Sequence, residues 1–262
     1  MVLPPPGTNY TLAVVNGSGG GSFTANTVVP ISANLLNRVA NPWSYGVQDA
    51  LLSFLLLDPT APAATHLVIY DRANSHTAGL FKRFNLALTA APVINSNVVT
   101  TLTPGGQNLY VTSLLPAGAT ITITSIGNAL NPIAWLEPST YRLVIEDPAD
   151  PTDSRMLHVL QGADAGVAAD AATLIQSTSG TAMDGAIIGN TAVLFIVNAT
   201  QLFAGTSYTV SAGVIQHYLT GCAPGATYAV TAATTASGLT VNIVPSASGI
   251  QADSAGVLTL SF

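Results

Sequence analysis

The sequence predicts an all-β protein: an antiparallel β-sandwich with an N-terminal β-hairpin extension and at most one short helix. Three observations point there. Short segments rich in Thr, Val, Ile and Tyr recur roughly every 10 to 15 residues after position 65, as half-buried pleated surfaces prefer. Turn residues separate them, among them Pro92, Gly105-Gly106, Pro116, Gly118, Pro148, Pro151, Gly185, Gly189, Pro224 and Gly225. No helical pattern alternates with these segments, which favours an antiparallel sandwich over a parallel α/β sheet.

From the N-terminus, PPPG at 4–7 reads as a short stiff linker. YTLAVVNGSGGGSFTANTVVPISAN places two alternating segments around a Gly/Ser turn, a hairpin signal. Residues 35–57 are, in part, the best helical candidate: WSYGVQDALLSFLLLD carries Val47, Leu51, Leu52, Leu55 and Leu56 on one stripe. The same run also fits a buried strand, and Asp58-Pro59 ends it either way. Strand-like segments then follow in close order, from HLVIYDRA at 66–73 to GVLTLSF at 256–262. The expected organisation is a linker and hairpin module over 1–34, then a sandwich over 35–262. A small C-terminal β subdomain from about 236 is a variant of that division.

Composition excludes several functions. Charged residues make up 7% of the 262 residues, against about 25% in ordinary globular chains. The net charge is −6 and only six residues are Lys or Arg, so no basic face exists to neutralise phosphates and no nucleic-acid partner is expected. Surface charge normally keeps copies of a protein apart. Here there is little, so the expected partner is the chain itself, in a homo-oligomer or filament. The longest strongly apolar run, ALLSFLLL at 50–57, is too short to span a bilayer, so no membrane span is expected. MVLPPPG lacks the basic and apolar regions of a signal peptide, so either one has been removed or the sequence is part of a longer chain. The expected location is extracellular or at the cell surface, as for bacterial-type secreted proteins. Cys222, the lone cysteine, cannot form an intrachain disulfide and reads as a turn residue. The sequons at Asn9, Asn16 and Asn198 fit chance in a chain rich in Asn, Ser and Thr.

One stretch departs from this background. THLVIYDRANSHTAGLFKRF at 65–84 holds three of the six Lys and Arg residues and two of the four histidines. His66, Asp71, Arg72, His76, Lys82 and Arg83 are therefore the candidate contacts for a partner or a glycan. Their simplest reading is a set of ion pairs at a sheet edge, where charge also discourages edge-to-edge pairing. A catalytic set would need a base within hydrogen-bond reach of the reacting proton, and the spacing supplies none. Glu146, Asp147, Asp150 and Asp153 crowd one loop, as calcium prefers, but Pro148 and Pro151 stiffen it and no EF-hand pattern is present. His158 and His217 lack sequence neighbours that suggest a metal or a triad. GSGGGS at 17–22 lacks the Lys of a phosphate loop, and no G-x-S-x-G elbow occurs. Trp43, Trp135, Tyr141, Tyr208, Tyr218 and Tyr228 would stack on sugars only if exposed, and aromatics in a sandwich are more often core. No catalytic residue, metal ligand or cofactor is expected.

Several pieces occur in a familiar order: HLVIYDRANS, LFKRFNLALTAAPVI, GGQNLYVTSLLPAGATITI, YRLVIEDPADPTDSRMLHVLQGAD, then MDGAIIGNTAVLFIVN and YTVSAGVIQHYLTGCAPGATYAVT. Over about 64–235 they resemble the β-sandwich region of heparinase II/III-type polysaccharide lyases. The segment before them is similar to short B-repeat-like hairpins of secreted bacterial proteins. The resemblance implies a sandwich that in such lyases follows a helical toroid bearing most catalytic groups. It also implies a sandwich histidine where this chain has Ala87, in Phe84-Asn85-Leu86-Ala87. With no room for a toroid in this sequence, no lyase activity is expected. Two functions remain: a non-catalytic extracellular unit that is structural or self-assembling, as in a surface layer or filament, or an accessory glycan-binding domain of a polysaccharide lyase.

Overall fold

The computed structural model describes residues 10–16, 29–31, 47–58, 65–103, 105–125, 140–236 and 238–262. The hairpin turn, the first part of the helical candidate, Trp43, Trp135 and Asn9 lie outside these residues. Among the described residues there are strands and no helix. The first part of the chain contains β1 (Tyr10–Asn16), β2 (Val29–Ile31), β3 (Val47–Asp58), β4 (Thr65–Ser75), β5 (Arg83–Leu88) and β6 (Val93–Asn95). Next come β7 (Val98–Leu102), β8 (Asn108–Leu115), β9 (Thr120–Ser125), β10 (Tyr141–Glu146) and β11 (Asp153–Ala163). The C-terminal part contains β12 (Ala172–Gln176), β13 (Ser179–Gly180), β14 (Met183–Ile188), β15 (Thr191–Ile196) and β16 (Thr206–Val210). It ends with β17 (Gln216–Leu219), β18 (Thr227–Thr235), β19 (Gly238–Pro245), β20 (Ile250–Gln251) and β21 (Leu258–Ser261).

These strands form four sheets. An eight-stranded sheet runs β2-β1-β3-β4-β11-β8-β7-β6, and a three-stranded sheet runs β5-β10-β9. Two five-stranded sheets run β12-β14-β15-β17-β21 and β13-β16-β19-β18-β20. Three apolar seams show how they stack. Leu88, Leu143 and Ile145 of the three-stranded sheet meet Val99 and Val111 of the eight-stranded one. The opposite face of the eight-stranded sheet, with Val68, Tyr70, Leu157 and Val159, meets Ala186, Ile188, Val193 and Phe195 of β14 and β15. The far face of β14 and β15, with Met183, Ala192 and Leu194, meets Tyr208, Val241 and Ile243. The antiparallel sandwich read from the sequence is thus extended into four layers, two sandwiches sharing a central seam.

This stacking explains the pattern of the inner strands. Sheets covered on both faces need apolar residues at every position rather than at alternate ones. TAVLFI in β15 sends Ala192 and Leu194 to one seam and Val193 and Phe195 to the other. Gly185, read from sequence as a turn residue, lies inside β14 instead. A Cβ there would collide with the Val193 carbonyl, so only glycine lets the two strands approach.

One other expectation is corrected. The run at 47–58 is a strand, the alternative its apolar stripe left open, because β4 supplies a partner along almost its whole length. Beyond 236, β19 joins β16 to β18, and β21 pairs with β17. The N-terminal hairpin is present as β1 paired antiparallel with β2, and β1 also pairs in parallel with β3. It extends the eight-stranded sheet of its own chain.

Candidate functional site

A polar cluster built around a buried carboxylate lies in the central seam. Side chains alternate along a strand, so Val68, Tyr70 and Arg72 of β4 share one face, as do Arg155, Leu157 and Val159 of β11. Both sets point at β14, where Asp184 is only 1% exposed. The Tyr70 hydroxyl donates to Asp184 Oδ2 at 2.6 Å, and Arg155 Nη1 donates to the same oxygen at 2.8 Å. Gln176 Nε2 on β12 donates to Oδ1 at 2.7 Å. The Arg72 guanidinium sits 4.8 Å over the Tyr70 ring and donates to the Ile196 carbonyl of β15. Burial, then the Asp184 carboxylate, raise the Tyr70 hydroxyl far above the usual tyrosine range, so it stays a donor. Each bond crosses between strands of different layers or holds the acceptor in place. The chemistry of the cluster is that of a fastening between strands.

The six sequence candidates do not converge. His66 is buried with Nε2 3.0 Å from Asp170. Asp71 and Arg72 face opposite sides of β4, and Arg72 belongs to the cluster just described. His76 is exposed in the loop after β4. Lys82 is buried and donates to the carbonyls of Leu80, at 2.9 Å, and Pro151. Arg83 pairs with Glu146 at 2.9 Å and lies 4.3 Å over the Phe81 ring. The expected sheet edge holds for Arg83, whose strand β5 is an edge of the three-stranded sheet, but not for β4, an interior strand between β3 and β11 because the run at 47–58 pairs with it.

A second polar set escaped the sequence reading. The register pairs His158 with Ser113 and Ile69, and Met156 with Asp71. Ser113, His158 and Asp71 therefore share one face across three adjacent strands, pointing to the three-stranded sheet. No proton relay connects them. Ser113 Oγ and both ring nitrogens of His158 lack a hydrogen-bond partner among the described residues. His158 instead stacks on Phe84 at 4.3 Å, and burial lowers its pKa to about 3. Burial pushes the Asp71 carboxyl up to about 7 against the lowering pull of Arg72. The only sequence signal for this set would have been the pairing of strands 40 or more positions apart, which periodicity does not give.

The remaining candidates are used locally. Asp147 accepts from the Ser154 hydroxyl at 3.0 Å and the Ala149 amide at 3.1 Å, so it shapes its own turn. Among the described residues no group of three or more His, Cys, Asp or Glu is placed to hold a metal ion. His217 is buried with Nδ1 3.1 Å from the Tyr208 hydroxyl. Burial pushes the Cys222 thiol up to about 12, which removes its thiolate at neutral pH. Tyr208 and Tyr228 are core residues.

No family model and no curated protein matches the chain. Among solved structures, the heparan sulfate lyase HepC of Pedobacter heparinus is similar, at 18% identity and a TM-score of 0.39. A mutant of that lyase gives 17% identity and a TM-score of 0.38. Both alignments cover 57% of this chain and 26% of the lyase, so the chain spans about a quarter of that enzyme's length. The chain resembles a heparinase region over that part of its length, at low identity.

Proposed function

We propose that the chain is a non-catalytic structural module that assembles with copies of itself, outside the cell or at its surface. The observation that carries this reading is β6, an edge strand of the eight-stranded sheet. All three of its residues are exposed, and Val93 and Ile94 are 67% and 40% accessible. Edge strands are normally guarded by short length, charge, proline or a covering element; β6 is short and follows Pro92, but its exposed, uncharged Val93 and Ile94 leave an apolar contact for another chain. The placement of scarce cations supports the same reading: Arg72, Lys82, Arg83 and Arg155 all bind groups of their own chain. Light scattering over a range of concentrations tests it. Oligomers that grow with concentration are expected, and Ile94→Lys should reduce them. A full chain that stays monomeric throughout would remove the proposal.

A second reading, contact with an acidic polysaccharide as an accessory domain, rests on the outer face of the three-stranded sheet. There the register aligns Ala87, Arg142 and Thr124, with Asn85, Val144 and Thr122 in the next row. Arg142 is exposed on that face. A net charge of −6 opposes polyanion binding at long range, which places this reading second. Retention on immobilised heparan sulfate that Arg142→Ala abolishes would reverse the order.

A further inference from the structure

A cleft of about 390 Å³ opens at one end of the seam between the three-stranded and eight-stranded sheets. Ser96, Asn97 and Ser113 contribute its polar lining, and Leu114, Pro116 and Ile121 its apolar walls. Two turns shape the mouth. Ser96 takes a left-handed conformation, φ 56°, in the β6–β7 turn. Across from it, the Pro116–Ala119 turn is closed by the Ala119 amide donating to the Pro116 carbonyl at 3.2 Å, with Gly118 at φ 72°. The inner wall is clamped: the Ser113 amide donates to the Asn97 carbonyl at 2.8 Å, and Asn97 Nδ2 donates to the Ser113 carbonyl at 2.9 Å.

Ser113 is 6% exposed, yet its hydroxyl has no hydrogen-bond partner among the described residues. Buried hydroxyls are nearly always bonded, so an orphan one lining a cleft marks a place where another molecule supplies the bond. A serine hydroxyl both donates and accepts, which matches another alcohol. None of the lining side chains is charged, so a charged ligand gains no partner there. The apolar walls suit the C–H faces of a compact ring. The volume lies at the small end of ligand sites, about 300 to 1,000 Å³. We infer that this cleft binds a small uncharged polyhydroxyl compound, of monosaccharide size, with the Ser113 hydroxyl as its innermost contact. The cleft adjoins β6 through Ser96 of the β6–β7 turn but takes none of its lining from β6 itself, and Ser113→Ala, which leaves Val93 and Ile94 in place, separates it from the assembly proposal.

The test is an amide-resolved NMR titration of the full chain with D-glucose as the uncharged probe and D-glucuronate as its charged counterpart. Glucose should shift the amides of Asn97, Ser113 and Ala117 in a saturable way. Ser113→Ala should weaken that binding about fivefold, the loss of one hydrogen bond. Its melting temperature should hold or rise, since an orphan buried hydroxyl is removed. Ala117→Trp, at an exposed position of the turn, should block the cleft without touching Ser113. The inference fails if glucose leaves these amides unmoved, if neither variant alters the shifts, or if glucuronate binds as tightly as glucose.

Discussion

His158 is fully buried between two sheets, where it stacks on the Phe84 ring and its ring nitrogens have no hydrogen-bond partner among the described residues. Two consequences follow from its unbonded nitrogens. An unsatisfied buried polar group costs about 1–3 kcal/mol, so His158→Phe should stabilise the fold at neutral pH. The second consequence is a dependence on acid. The folded chain keeps His158 neutral down to about pH 3, whereas the unfolded chain protonates it near the ordinary value of 6.5. Between these values the unfolded state binds more protons, so stability falls as pH drops, by at most about 1.4 kcal/mol per unit from this one group. The melting temperature of His158→Phe should therefore decline less than that of the parent chain between pH 6.5 and 3. Parallel declines would show that His158 is solvated or bonded in solution.

Among the elements, the N-terminal hairpin depends most on a partner elsewhere in the chain. A two-stranded hairpin is marginal alone in water and must pair with something. It pairs with β3 of its own chain, through Thr11↔Ser53 to Asn16↔Asp58. Removing residues 1–33 would expose the β3 backbone edge. The truncated chain should then melt lower and scatter more light than the full one. A truncated chain that is more monomeric would mean that the hairpin joins copies instead. Local sequence made most elements legible: alternation and turn residues located the strands from β4 to β21 apart from β6, β13 and β20, which are only two or three residues long, and the Gly/Ser turn located β1 and β2. Two facts that depend on neighbours were not legible. The apolar stripe of 47–58 satisfies both helical and strand geometry, and only the partner β4 decides between them. Gly185 looks like a turn residue until β15 is placed against it. The candidate sites suffered more. His66, Asp71, Arg72, His76, Lys82 and Arg83 are close in sequence, but strand alternation and the loop at 76–82 send them in different directions. Asp184 and Ser113 were missed because their partners lie on other strands, 114 positions away for Tyr70–Asp184.

At the scale of the whole molecule, four stacked sheets need fastening as well as apolar contact, because apolar seams are weakly directional. In a chain that is 7% charged, one of the few ionic clusters lies between layers. Asp184 is its centre, joined to Tyr70 and Arg155 across the central seam and to Gln176 beside it. The reading of this protein as a scaffold depends on that role. A double-mutant cycle of Arg155→Met and Asp184→Asn, followed by chemical denaturation, measures it. Loss of one partner of a buried pair costs about 3–5 kcal/mol, and partial exposure of Arg155 lowers the expected value to about 2–3 kcal/mol for each single variant. The coupling energy should be about 1–3 kcal/mol, since the two side chains share one hydrogen bond. Single variants within about 0.5 kcal/mol of the parent, with additive effects, would contradict the claim that this cluster holds the layers together.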